Sequence, residues 1–378
     1  MELRNLQLEI IMKKLYFLLA LIILAVVYFL FFLKDSKELI KIGFVGALTA
    51  KYSDLGNPMM NGIILAFEEE KYEINGKKIE LIFKDDKKDE QVNRQIVNDF
   101  IAQGIKIVMG NVTSSMSKIS MSIINEHKDM FMISAASASN EFSGIDDQFF
   151  RVHVANNAQR FDTFTKYIKE NNYKKVYGIY DPGNITYTKD YLENFEKSFI
   201  SNGGESFIKY AKTDGNLDDL VSDINSLKPD LILICANSVD AARVVQYLKM
   251  KNVQTQIASS EWAMTPAFIE NSGKYSEGII FNIDYDEHST NEDFIKFYNK
   301  FKEKYNIEPS LYASKGYELA RVVIELLKMG DQTELKKNLL IKKEFKGLQD
   351  TIIFDQYGDV VRKFNTFKVI NGKFEKVE

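Results

Sequence analysis

One cysteine, five prolines, one tryptophan and three histidines in 378 residues leave several kinds of chemistry without their usual parts. A single cysteine cannot form an internal disulfide. Cys235 lies in the apolar run LILICA, the setting of an inert core thiol. His127, His153 and His288 stand far apart in sequence. No H-E-x-x-H, paired-cysteine or other metal-ligand spacing occurs. The nucleophile elbow G-x-S-x-G is absent. GFVGAL in the first strand lacks the glycine spacing of a dinucleotide fingerprint. Neither an enzyme nor a cofactor is announced. A surplus of positive charge is missing too: 49 basic against 53 acidic residues give a net charge of −4. Nucleic acid, which needs a basic face, is therefore not expected as a partner. No linker or low-complexity segment interrupts the chain.

What is present is apolar residues in quantity, 45% against 27% charged, enough for a large core. The length predicts two domains. Residues 15–33 (LYFLLALIILAVVYFLFFL) carry no charge and follow Arg4, Lys13 and Lys14. At about 1.5 Å rise per residue such a run nearly spans a bilayer core. It ends in Phe31, Phe32 and Leu33, with no A-x-A cleavage site and no cysteine to take a lipid. The expectation is an uncleaved membrane anchor over residues 1–37, with the rest of the chain outside the cytoplasm. An inefficiently cleaved signal peptide is the alternative. Lys34 and Lys37 weaken the charge asymmetry, and Met12 opens a more usual start, MKKLYFLL.

From Lys41 the chain alternates strand, turn and helix. IKIGFVG, IELIF and KIVMG are apolar strands, and helices are predicted over 58–71 and 89–103 with a polar loop at 49–57. After KIVMG the chain turns at Asn111 and opens a helix at Thr113, Ser114 and Ser115. A helix N-terminus has unpaired N–H groups and a partial positive charge, so hydroxyls there suit a carboxylate. An ordinary Ser/Thr cap is the plainer reading. FMISAASASN then ends in small and hydroxyl residues, and FFRVHVAN is an extended crossover. The pattern restarts at KKVYGIYD, and Leu231 to Ala236 reads as a strand covered on both faces. TQIASSEWAMT leads into Ser259, Ser260, Glu261 and Trp262, and EGIIFNIDY is a second crossover. Two long helices follow, then alternating strands with a turn at 356–359.

Alternating βα units predict an α/β fold of two similar lobes, each with a parallel sheet. Ligands in such sheets sit beyond the carboxyl ends of the strands. Small hydroxyls, aromatics and one acid gather there, a set suited to a small zwitterion.

Seven stretches in order carry a resemblance to a family. They are IKIGFVGALTAKYSDLGNPMMNGIILAFEE, KIVMGNVTSS, MISAASASNEFSGIDDQFFRV, GIYDPGNITYTKDYLENFEKSF, PDLILICANSVDAARVVQYLK, SEGIIF and TIIFDQYGDVVRKFNTFKVINGKF. Over roughly residues 40–372 the chain resembles the type I periplasmic solute-binding proteins of the leucine/isoleucine/valine-binding group. The resemblance implies two lobes joined by three crossovers, near 155, 282 and 364. Lobe 1 would hold 38–155 and 283–364, and lobe 2 156–282 and 365–378. It implies that Ser114, with Ser115 beside it, meets a ligand carboxylate. Ala138 and either Ser137 or Ser139 would share that contact, a serine standing where threonine is usual. Tyr52 would pack over the ligand. Tyr187 and Asn237 would be lobe 2 contacts, though an aromatic is common at 237 and Asn237 is also a plain helix cap. Glu261 would take an ammonium group, with Trp262 as pocket wall or core. The implied function is a receptor that delivers an amino acid or similar solute to an ABC permease. A sensing module reporting to a membrane signalling partner is the alternative.

Overall fold

The computed structural model describes residues 12–26, 28 and 38–377. Residues 12–26 form helix α1, and its apolar side chains from Leu15 to Leu24 are largely exposed. Among the described residues no helix is long and apolar enough to cross a membrane. The described residues thus do not support the predicted membrane anchor. Its remaining residues, 27 and 29–33, lie outside the described residues, as does the stub 1–11.

The first lobe is built on β1 (Leu39–Gly46), α2 (Ser53–Glu69), β2 (Glu73–Ile74), β3 (Lys77–Asp85), α3 (Glu90–Ala102), β4 (Ile107–Gly110), α4 (Ser114–Ile124), β5 (Phe131–Ser134) and β6 (Phe149–Arg151). Its sheet runs β2-β3-β1-β4-β5-β6, parallel except at β2. β4 and β5 are buried at every position, which is why they read as unbroken apolar runs. The second lobe repeats the plan with α5 (Asp162–Glu170), β7 (Lys175–Tyr180), α6 (Ile185–Ser201), β8 (Ser206–Lys212), α7 (Leu217–Leu227), β9 (Leu231–Cys235), α8 (Ser238–Met250), β10 (Gln256–Ser260), α9 (Pro266–Ser272) and β11 (Ile280–Ile283). The chain then contributes α10 (Glu292–Tyr305), α11 (Leu311–Met329) and α12 (Leu335–Lys342), and α11 lies against α2. A short hairpin, β12 (Glu344–Lys346) with β13 (Thr351–Ile353), precedes β14 (Asn365–Ile370) and β15 (Lys373–Lys376). The last two strands extend the second sheet antiparallel, in the order β15-β14-β11-β10-β9-β7-β8. Strands up to Arg151 thus lie in one sheet, and those at 175–283 and 365–376 in the other.

Two predicted boundaries move. The loop expected at 49–57 is a single 3₁₀ turn, Ala50–Tyr52, and α2 begins at Ser53 with Pro58 inside it. Proline removes one helical hydrogen bond. The early start is fixed instead by tertiary contacts: Tyr52, Leu55 and Gly56 are buried, and the Asn57 amide donates to the Leu48 carbonyl at 3.2 Å. The strand expected over 131–140 ends at Ser134, where the Ser134 hydroxyl accepts from the Ala136 and Ser137 N–H groups and turns the chain.

Candidate functional site

The carboxyl ends of β1, β4 and β5 face those of β7, β9 and β10 across a cleft. Every residue singled out in the sequence lies at one of these ends, in the turn after it or in the first turn of the helix that follows. The first group is a nest beside the N-terminus of α4. Ser114 Oγ accepts from Ala138 N at 3.1 Å and from Ser139 N at 3.3 Å. Two backbone donors from the loop after β5 therefore converge on one hydroxyl at the positive end of a helix. Thr113 Oγ1, one residue earlier, is buried without a hydrogen-bond partner among the described residues. Ser137 is turned away from this point. Its hydroxyl meets Ser117 Oγ at 2.5 Å and the Asn111 carbonyl at 3.3 Å, inside lobe 1. Ser139 lies at the nest through its N–H, while its hydroxyl caps the turn at Glu141. Ser115 faces the other lobe: its N–H donates to Asn184 Oδ1 at 3.1 Å, and its hydroxyl accepts from Thr186 N at 3.4 Å.

The second group surrounds Glu261, in the turn after β10. Tyr187, on α6, donates its hydroxyl to Glu261 Oε1 at 2.9 Å, and His153 Nε2 lies 3.5 Å from the same oxygen. Glu261 Oε2 is ion-paired with Arg160. Arg160 is fully buried, with its guanidinium 5.3 Å from the Tyr191 ring centroid and 5.0 Å from that of Phe364. It also donates to the Val154 carbonyl at 3.3 Å, and its own carbonyl accepts from Asn282 at 3.4 Å. Val154 follows β6, Asn282 lies in β11 and Phe364 directly precedes β14, so one arginine ties three segments distant in sequence. Burial by itself would raise the Glu261 carboxyl, but Arg160 and His153 bring it down to about 2. Burial pushes the His153 imidazole below its usual value and the Tyr187 hydroxyl well above its own, the latter reinforced by Glu261. The acid expected to receive a ligand ammonium already holds a guanidinium. Neither Arg160 nor His153 was singled out in the sequence. The one available sign was that an acid buried at 261 requires a cation.

The third group closes the cleft. The rings of Tyr52 and Trp262 stack across it, 5.7 Å between centroids and 4° from parallel, and Tyr187 meets Trp262 edge-on at 5.6 Å. Tyr52 also donates to Asp181 Oδ2 at 3.3 Å. Asn237 caps α8, accepting from Val239 N and Asp240 N, and its amide donates to Asp181 Oδ2 at 2.7 Å and Asp240 Oδ2 at 2.6 Å. Its polar atoms are thus all engaged within lobe 2. Asp54, another residue absent from the sequence reading, accepts from Ser238 Oγ and, at 3.4 Å, from Thr265 Oγ1. Among the described residues no group of three or more His, Cys, Asp or Glu side chains is arranged to hold a metal ion.

A two-lobed α/β protein with polar strand ends converging on an interlobe cleft is a protein that encloses a small solute. A sequence profile described as "Periplasmic binding protein" matches residues 39–373, and the chain belongs to that family, in its type I form. It is a solute-binding protein, not an enzyme. A protein of Brucella melitensis, Leu/Ile/Val-binding protein homolog 3, is 22% identical over 354 residues, covering 90% of this chain and 94% of its own. The crystal structure of the leucine-binding protein LivK from Thermotoga maritima superposes with a TM-score of 0.83 at 23% identity, covering 90% of this chain and 98% of its own. A solute-binding protein of an ABC transporter from R. palustris, solved with benzoate, gives 0.81 at 18% identity, covering 89% and 95%. The fold is common to this chain and the two solved structures.

Proposed function

We propose that this protein captures a small amino acid or closely related carboxylate in the cleft and delivers it to an ABC permease. The observation that carries this reading is the Ser114 nest, where the Ala138 and Ser139 N–H groups converge beside a helix N-terminus. A carboxylate oxygen would take those amides and the Ser114 hydroxyl together. Hydrogen bonds to a charged acceptor are worth about 1.5–3 kcal/mol each. Tyr52, Tyr187 and Trp262 form the apolar wall, and Ser115 lies on the seam between the lobes. The leucine for which the Thermotoga protein is named and the benzoate bound to the R. palustris protein support a carboxylate as the shared element. The family supports an extracytoplasmic location, and the uncharged run at 15–33 supports tethering there.

Trp262 is the only tryptophan in the chain and stacks across the cleft, so its emission reports occupancy. Titration of the full chain in detergent micelles with amino acids and small acids should shift that emission with a subset of them. Ser114→Ala should weaken the same ligands about tenfold or more. Equal affinity in the variant would remove the carboxylate from the nest.

A further inference from the structure

In the cleft, Glu261 is the acid that lies where an ammonium group is expected, yet its charge is already balanced. Arg160 is ion-paired with one of its oxygens, and the Tyr187 hydroxyl and His153 surround the other. A ligand ammonium placed there would meet a guanidinium of like charge and no spare carboxylate. Asp181 is held by the Asn237 amide and the Tyr52 hydroxyl, and Asp240 is ion-paired with Lys51 at 2.7 Å. Asp190 accepts from the Asn140 N–H and the Asn156 amide. Asp54 differs from all of these. Its Oδ2 accepts only hydroxyls, those of Ser238 and Thr265, both on the opposite lobe. Its Oδ1 is buried and has no hydrogen-bond partner on another residue among the described residues. Nor does any Lys, Arg or His among them form an ion pair with it.

A carboxylate oxygen buried without a cation is costly, and two hydroxyls with the residue's own N–H compensate the half-buried Asp54 only in part. Asp54 stands two residues from Tyr52, and Thr265 stands three from Trp262, so this incomplete shell lies beside the stacked rings that shut the cleft. We propose that Asp54, and not Glu261, is the acid that receives the ammonium group of the bound solute, and that the solute thereby supplies the cation this seam lacks. Resting on the proposed function, this assigns Asp54 as the residue that selects amine-bearing ligands over their deaminated analogues. Glu261 with Arg160 is then a neutral floor. Because the Asp54 shell joins both lobes, the same contact couples recognition of the amine to closure.

The experiment uses matched ligand pairs read by Trp262 emission in the full chain. Leucine is compared with 2-hydroxy-4-methylpentanoate, and 6-aminohexanoate with hexanoate, so that amines near to and far from the carboxylate are both sampled. The unsubstituted protein should prefer the amine-bearing member of at least one pair by tenfold or more. Asp54→Asn keeps an acceptor for both hydroxyls and should abolish that preference by weakening the amine-bearing member alone. Glu261→Gln should shift both members of the pair together. Three outcomes overturn the proposal: no preference in the unsubstituted protein, a preference that survives Asp54→Asn, or equal weakening of both members, which would make Asp54 a closure contact only. The first and third leave the carboxylate reading standing. Silence of all four probes would overturn that reading as well. Should Asp54→Asn fail to fold, Asp54→Glu, which keeps the charge, must retain the preference.

Discussion

At the residue scale, His153 shows how burial becomes a pH dependence. Its imidazole is buried beside Glu261, Arg160 and Asp284, and burial, the largest influence, holds it neutral below its usual range. Below about pH 6.5 the unfolded chain binds a proton at this histidine more readily than the folded chain does. More protons are then bound in the unfolded state, so stability falls as pH falls, by up to about 1.4 kcal/mol per unit from this group. Glu261 adds a similar loss only below its ordinary range near 4.5, continuing down to its folded value of about 2. His153→Gln should therefore reduce the stability lost between pH 7 and 5.5, by at most about 1 kcal/mol. Urea unfolding at the two pH values measures this, and equal losses in both proteins would place the titration elsewhere.

The same residues show what was legible in the sequence. Ser114 and Ser139 were readable as strand-end residues because a polar cluster follows each buried strand there, whereas Ala138 entered only through the family resemblance. Glu261 was readable as an acid after such a strand. Its partner was not, because Arg160 in ANNAQRF looks like any solvated residue opening a helix. Only the fold brings it beneath β10. Asp54 was hidden for a similar reason: its hydroxyl partners belong to the other lobe, and no local pattern records them.

At the element scale, most strands and helices were readable because their apolar faces are periodic, whereas the start of α2 was not. Proline at 58 suggested a helix N-terminus, but burial of Tyr52 and Leu55 extends the helix back beyond it. The packing of α2 on α11 was invisible as well, although it depends on two glycines. A Cβ on Gly62 would come within 2.0 Å of the Ala313 carbonyl oxygen, and one on Gly316 within 2.2 Å of that of Met59. The helices approach backbone to backbone, and no side chain can bend out of the way. Gly316→Ala should accordingly lower stability by about 1–3 kcal/mol despite the better helix propensity of alanine. The urea midpoint measures it. A variant as stable as the parent would mean that α11 can slide along α2.

At the scale of the whole molecule, the contacts across the cleft lie on both sides of the Ser114 nest and the Trp262 wall. On one side Asp190 of α6 accepts from the Asn140 N–H of lobe 1 at 2.8 Å and from the Asn156 amide at 2.9 Å. On the other, Lys51 reaches Asp240, and Asp54 reaches Ser238 and Thr265. The Lys51–Asp240 pair is partly exposed and worth little, since such pairs contribute about 0–1 kcal/mol. Asp190 is half-buried, and its loss would leave a backbone donor and an amide without their acceptor. If the lobes close over the solute as proposed, such contacts set the ratio of closed to open molecules, and affinity follows the closed fraction. Asp190→Ala removes about 1.5–3 kcal/mol of charged hydrogen bonding, which corresponds to roughly ten- to hundredfold in that ratio. Small-angle scattering of the ligand-free variant should give a larger radius of gyration than the parent. Saturating ligand should restore the parent value, at a correspondingly higher concentration. If the radius is unchanged and affinity still falls, Asp190 acts on the site locally and the lobes are held shut by the aromatic wall instead.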